Sequence, residues 1–287
     1  MSAAEGTATL RRGRRGSFGR LFVSELMLVF GRRRNQVGLV VLIGLVTMLG
    51  VALKLSQLRH PNARGGDIVS AVAGNGIYLG FAGLTIEIAL FLPLAVSVLA
   101  GDAVAGEANL GTLRYLLTSP VSRLRLLAVK ACALGVGSLT GAFIVALGGV
   151  LAGTALFGAG PLVTLSGTRI SVGDGLVRLL LALLYVAAGL AALGMIGLFV
   201  STLTEQPIAA TVATAMVSTL LWILDAVPQL DWLHPWLLVD RWSAFVDLLR
   251  DPVFPDRMVS GLWVDLAYGV VFFGAAWLRF RNKNITS

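Results

Sequence analysis

One polar segment of mixed charge, Asp102 to Lys130, lies between two long apolar runs. Its leucines recur at the spacing of one helix face, namely Leu110, Leu113 and Leu117. Pro120 would end such a helix, because proline has no backbone N–H to donate, and Ser122 is placed to cap a new helix. We therefore expect a helix, a break and a second helix, which would suit docking of a soluble partner. An ordinary solvated loop is the alternative.

Only Glu87 carries a charge deep within an apolar run. An ionised side chain at the centre of a bilayer costs about 2.5–3.5 kcal/mol on insertion scales. Glu87 should therefore face protein or water, or be protonated. It would either contact substrate or a gate, or join two helices, and the absence of a cationic partner within the spans favours the structural role. Pro93 is expected to kink the same run.

Three hydroxyl side chains share one face of a later apolar run: Thr211, Thr214 and Ser218. They would line a transport path or make contacts between helices, and the second role is favoured because small polar residues commonly join membrane helices.

The composition indicates a polytopic membrane protein. Of 287 residues, 56% are hydrophobic and 13% are charged, whereas soluble domains carry about 25% charged residues. The net charge of +8 flanks the apolar runs, which favours a topology signal over a nucleic-acid surface. Cys132, the single cysteine, is expected to be a small buried hydrophobe.

Six runs have the roughly 20 apolar residues that a membrane-spanning helix needs. They are residues 37–55, 76–101, 126–157, 176–201, 208–227 and 262–280. Arginines precede the first run, lie between the second and third, and follow the sixth. The positive-inside rule then predicts that both termini are cytoplasmic.

Three further segments have distinct compositions. Residues 1–16 are basic and poor in large apolar residues, so we expect disorder there. Residues 17–34 predict an amphipathic elbow helix at the inner interface, either a plain anchor or a contact for a cytosolic subunit. Residues 228–261 are rich in tryptophan and predict an external amphipathic helix at the outer interface. Its apolar stripe comprises Leu238, Trp242, Phe245 and Leu249.

The polar segment also carries a sequence resemblance. From residue 101 it reads Gly-Asp-x-x-x-Gly-Glu-x-x-x-Gly-Thr-Leu-x-x-Leu-Leu-x-Ser-Pro-Val-Ser-Arg. This resembles the signature loop of type-2 ABC exporter permeases. The resemblance implies an all-α protein with an N-terminal interfacial helix, six spans (35–287), a coupling helix within 102–125 and an external helix that closes the outer exit. The ATPase-coupling residues would be Asp102, Glu107, Gly111, Thr112, Leu113, Arg114, Leu117, Pro120, Ser122 and Arg123.

The resemblance also implies partners. The chain would pair with two copies of a cytosolic ATP-binding subunit and with a second permease, identical or paralogous, in a bacterial inner membrane. ATP and Mg²⁺ would bind the partner, since no Gly-x-x-x-x-Gly-Lys-Ser/Thr phosphate loop occurs in this sequence. The expected cargo is hydrophobic or amphipathic and moves outward, and neither a cofactor nor a metal is expected in this chain. The alternative is an ATPase-independent channel or scaffold. An intramembrane enzyme is disfavoured, because Glu87 alone does not make a catalytic set.

Overall fold

The computed structural model describes residues 5–59, 75–111 and 122–282, with side chains from residue 18 onward. The helices are α1 (Glu5–Gly31), α2 (Arg33–Arg59), α3 (Tyr78–Glu87), α4 (Phe91–Gly101), α5 (Arg123–Phe157), α6 (Val172–Leu203), α7 (Pro207–Asp225) and α8 (Asp256–Arg281). Within this part of the chain, six helical segments are long and apolar enough to cross a membrane. The predicted class, an all-α polytopic membrane protein, is confirmed.

The second span is interrupted. Helix α3 ends at Glu87, residues 88–90 form a turn, and α4 begins at Phe91. Pro93 lies in the first turn of α4, where the N–H that it lacks has no intrahelical partner. The predicted irregularity is therefore real, but it is a break before Pro93 and not a kink at it.

The core is built around α6, which packs against α4, α5 and α8. Helix α3 crosses α5 where Gly80 lies against Gly149, and the turn before α3 contacts α5 where Gly76 lies against Gly153. A Cβ added at Gly149 would lie 2.6 Å from the Cα of Gly80. The small-residue spacing in α5 therefore serves close packing, as expected for membrane helices.

Helix α1 packs against α5. A single residue, Arg32, separates the end of α1 from the start of α2. Its backbone begins at Glu5, so the helix extends into the 1–16 segment for which the sequence predicts disorder. Cys132 differs from its expectation because it is exposed on α5. An exposed position in a spanning helix remains compatible with a weakly polar thiol, since its surroundings there are apolar.

Two small features join the helices at the end opposite the polar segment. A two-residue hairpin, β1 (Leu162–Val163) with β2 (Arg169–Ile170), connects α5 to α6 and turns at Gly167, whose φ is +85°. Three short 3₁₀ helices connect α7 to α8, at Pro228–Leu230, His234–Trp236 and Trp242–Leu249. The sequence pattern predicted neither the hairpin nor the 3₁₀ geometry.

Candidate functional site

The polar segment begins directly at the end of α4. A π-helical turn, Asp102–Gly106, continues α4 and is followed by one α-helical turn, Glu107–Asn109. Gly111 then has φ +69°, a left-handed conformation that glycine adopts without strain. Five residues assigned to coupling lie outside the described residues: Thr112, Leu113, Arg114, Leu117 and Pro120. The predicted coupling helix therefore stays a prediction. The structure does describe residues 102–111, which lead into it and which we call the base of the polar segment.

A single buried hydroxyl holds the π-helical turn to α6. Ser201 Oγ accepts hydrogen bonds from the backbone N–H groups of Val104 (3.1 Å) and Ala105 (2.9 Å). It donates to the carbonyl oxygen of Gly101 at 3.0 Å. Because a π-helix leaves backbone groups without their ordinary α-helical partners, Ser201 supplies bonds that the irregular turn needs.

We expect Ser201→Ala to free this turn. Two buried N–H groups would lose their acceptor, at a cost of about 1–3 kcal/mol. Hydrogen exchange at Val104 and Ala105 should accelerate at least about fivefold. The matched control is Thr202→Val, since within the described part of the chain the Thr202 hydroxyl bonds to Phe199 in its own helix and to no other residue. Equal exchange rates in both variants would contradict the role given to Ser201.

Glu107 belongs to a buried ionic network that joins three elements. Lys130 Nζ on α5 lies 2.5 Å from Glu107 Oε1 and 2.9 Å from Glu25 Oε1 on α1. The Lys130 side chain is 1% exposed. A buried ammonium needs such partners, because isolated charges are costly away from water. The network fastens the predicted elbow helix to the base of the polar segment.

Asp102 makes a second ionic cluster beside the first. Its carboxylate pairs with Arg32, which lies between α1 and α2, and with Arg34 in the first turn of α2. Arg32, Asp102 and Lys130 line one small cavity, so the two clusters adjoin. Two carboxylates with one ammonium leave a net negative charge, and two guanidiniums with one carboxylate leave a net positive charge. The two clusters therefore compensate each other.

We call these six residues the ionic corner: Glu25, Arg32, Arg34, Asp102, Glu107 and Lys130. Among its members only Asp102 and Glu107 were predicted as site residues. Arg32 and Arg34 belong to the arginines before the first run that predict the topology, and no sequence pattern singled out Glu25. Lys130 could have been noticed from the sequence as a site residue, because it is the charged residue at the end of the polar segment.

The other end of the polar segment is also anchored. Ser122 caps α5 as predicted, with extended backbone and its Oγ accepting from the Arg125 N–H at 3.4 Å. Arg123 Nη1 donates to the carbonyl oxygens of Phe280 (3.1 Å) and Arg281 (2.7 Å) at the end of α8. A guanidinium there satisfies carbonyls that the helix leaves free and complements its dipole.

Glu87 lies at the end of α3, at the break in the second span. The residue is 1% exposed, and neither carboxylate oxygen has a hydrogen-bond partner among the described residues. The favoured helix–helix hydrogen bond is therefore not made within this part of a single chain. An unpartnered buried carboxyl is costly unless it is neutral or finds a partner, and the role of Glu87, whether substrate contact or helix–helix contact, stays a prediction.

The three hydroxyl residues of α7 pack against neighbouring helices. Thr214 and Ser218 are buried, and Thr214 Oγ1 bonds to Ala210 in its own helix. A Cβ added at Gly101 would lie 2.8 Å from the backbone nitrogen of Thr211, so α4 and α7 touch there. Within one chain the arrangement of Thr211 and Thr214 is that of interhelical contacts.

The predicted external helix takes a different form. Leu238, Trp242, Phe245 and Leu249 are all buried against the helical core, and residues 242–249 form a 3₁₀ helix. A 3₁₀ helix repeats every three residues, so Leu248 also points inward, 4% exposed. The apolar stripe was predicted correctly, but its partner is protein and not the membrane interface.

Side chains of α6 explain why this segment lies on the core. Arg178 Nη1 donates to the carbonyl oxygens of Leu248 and Arg250, each at 2.8 Å. Tyr185 donates to the carbonyl oxygen of Arg241 at 2.7 Å. The Arg178 bonds satisfy carbonyls that the end of a short 3₁₀ helix leaves free, whereas the Arg241 carbonyl also accepts from the Ala244 N–H at 2.9 Å. They fix the segment without an α-helix.

Comparison with known proteins identifies the class. The family model described as "ABC-2 family transporter protein" matches residues 29–230, which is more than half of the chain. The match includes most of the ionic corner and the whole polar segment. The chain belongs to the ABC-2 transporter family and is a multi-pass membrane permease subunit of an ABC transporter. This family is generally not the ATPase and implies partnership with an ABC ATP-binding subunit. No curated protein matches the sequence.

Proposed function

We propose that this chain is the permease of an ATP-driven exporter and that the ionic corner transmits motion from the ATP-binding subunits. The observation that carries the proposal is the Glu25–Lys130–Glu107 network. It ties the base of the polar segment to both α1 and α5. A force applied to residues 112–121 by a soluble partner would therefore reach α1, α4 and α5 together.

The remaining steps follow from this linkage. Two ATP-binding subunits hold ATP and Mg²⁺ and close on each other. The coupling residues carry that movement into two permease chains, identical or paralogous, whose shared cavity alternates between inner and outer access. Both termini lie in the cytoplasm of a bacterial inner membrane. Exposed apolar residues on α2, α7 and α8 provide surface for lipid and for the second permease.

The cargo is hydrophobic or amphipathic, such as a lipid, a drug or a peptide, and it moves outward. Few charges lie within the described spans, which disfavours a strongly charged cargo. Glu87 is the proposed polar contact at the break of the second span. The segment that carries Leu238, Trp242, Phe245 and Leu249 closes the outer exit. An ATPase-independent channel or scaffold is the second candidate, in which the ionic corner serves only stability.

Co-purification tests the coupling. Extraction of the chain from its native membrane in mild detergent, followed by mass spectrometry, should recover a soluble subunit with a phosphate-binding loop. We expect Leu113→Asp to reduce its recovery at least about tenfold, because a charge would replace an apolar contact of the predicted coupling helix.

The matched control is Leu58→Asp, which places the same charge on an exposed leucine near the opposite end of α2. Loss of the ATP-binding subunit from both variants, or from neither, would refute the docking site. Absence of any such subunit under several gentle extraction conditions would favour the channel or scaffold.

A further inference from the structure

An apolar cavity lies between α1, α2, α4 and α5, apart from the hydroxyl face of α7 and from Glu87. Its volume is about 300 Å³, which reaches the lower end of the size range of small-molecule sites. Val37 and Val41 line it and are 61% and 49% exposed. The cavity therefore opens sideways beside α2, where the bilayer would lie.

Two buried polar atoms in its wall have no partner among the described residues. They are Asn35 Oδ1 and Ser138 Oγ. Asn35 Nδ2 already donates to the carbonyl oxygen of Val29 at 2.7 Å, which sets the orientation of the amide. Neither atom has appreciable accessible surface, so neither can accept a hydrogen bond from a molecule in the cavity as it stands. The wall that an occupant would contact is therefore apolar.

The mouth of the cavity is basic. Arg34 borders both this cavity and a wider one of about 710 Å³, which is also lined by Arg32, Arg33 and Asp102. Arg32 and Arg34 pair with Asp102, whereas Arg33 is exposed and has no ion pair among the described residues. Because the charges of the ionic corner compensate each other, Arg33 supplies the net positive charge next to the apolar cavity, which complements an anionic lipid.

We infer that this cavity binds one anionic phospholipid, of the phosphatidylglycerol kind, from the leaflet beside the ionic corner. An acyl chain occupies the apolar cavity, and the phosphate lies near Arg33 and Arg34. The lipid would contact α1, α2, α4 and α5 at once. The choice of leaflet rests on the proposed orientation of the chain in the membrane. The inference does not depend on the direction of transport or on the identity of the cargo.

Native mass spectrometry of the purified chain tests this lipid site. The probes are phosphatidylglycerol, phosphatidylmethanol and phosphatidylcholine with identical acyl chains. We expect one phosphatidylglycerol to be retained about tenfold more strongly than phosphatidylcholine. Phosphatidylmethanol should be retained as strongly as phosphatidylglycerol, because both carry a net negative charge and phosphatidylcholine does not. Equal retention of all three would overturn the site.

Paired variants separate the cavity from its mouth. Gly38 lines the cavity and a Cβ there meets nothing within 4 Å, so Gly38→Leu should fill the space and abolish selective retention. Gly44→Leu is the control, since Gly44 is equally open on the same helix and does not line the cavity. Arg33→Gln should weaken retention about fivefold, and Arg59→Gln at the far end of α2 should not.

Two outcomes would replace the lipid by another explanation. If Arg33→Gln lowers retention but Gly38→Leu does not, lipid adsorbs at the surface and the cavity proposal fails. If Gly38→Leu changes the proportion of dimer in the spectrum and leaves lipid retention intact, a second chain covers this face. Because the assay contains no ATP-binding subunit, its failure is distinct from a failure of the exporter proposal.

Discussion

Replacing Lys130 with methionine should lower the free energy of unfolding by about 3–5 kcal/mol, the cost of breaking a buried ion pair on one side. Lys130 is 1% exposed and lies between the Glu25 and Glu107 carboxylates. Methionine preserves the length and apolar stem of lysine but removes the ammonium. The two carboxylates would then lie in the same buried site without their shared cation. Thermal unfolding of the detergent-solubilised chain, followed by fluorescence, measures the loss.

The control separates charge from packing. In the triple variant Lys130→Met, Glu25→Gln, Glu107→Gln, no charge remains at the centre of the network, so most of the stability should return. If the ionic linkage itself transmits motion, the ATP-binding subunit should still co-purify with both variants, but the ATPase rate of the purified complex, which measures coupling, should no longer respond to the permease. A Lys130→Met chain as stable as the native one would contradict the network. Full recovery of coupling in the triple variant would assign the network a structural role alone.

The second large effect concerns the crossing of α3 and α5. Gly153→Ala should destabilise the chain by about 3 kcal/mol, because the added methyl group would overlap the carbonyl oxygen of Gly76 and lie 2.9 Å from the Cβ of Leu79. Backbone atoms cannot rotate away as a flexible side chain can, so the two helices would have to separate. The change in midpoint of thermal unfolding measures this cost.

Gly135→Ala on the same helix is the matched control. A Cβ at Gly135 meets nothing within 4 Å, and alanine favours helix over glycine by about 1 kcal/mol. This variant should be as stable as the native chain or slightly more so. If both substitutions had the same effect, close packing of α3 on α5 would not contribute to stability in the way proposed.

Several features were readable from the sequence because their causes are local. Each span requires a run of about 20 apolar residues, and hydropathy along the chain locates such runs. Five of the six predicted runs each lie within, or nearly within, one helix, and these helices are α2, α5, α6, α7 and α8. Ser122 could be recognised as a cap because the serine and the N–H that it accepts from belong to the same turn.

The second span shows the limit of this reasoning. The run 76–101 was apolar throughout, and Pro93 suggested an irregularity, but the break falls at residues 88–90. Proline is tolerated in the first turn of a helix. Its position therefore marks where α4 starts and leaves undetermined how many residues before it are non-helical. The packing of α3 on α5 through glycines limits where the first half of the span can lie.

By itself the sequence determined the membrane class, the number of spans, the polar segment and the family. Only the tertiary structure decided what the charges of that segment bind. Asp102 pairs with Arg32 across 70 positions and Lys130 with Glu25 across 105. It likewise decided that the stripe from Leu238 to Leu249 lies on the core. Hydropathy and helix spacing report neighbours along the chain, whereas these partners are chosen by how distant helices pack and by the need to pair buried charges.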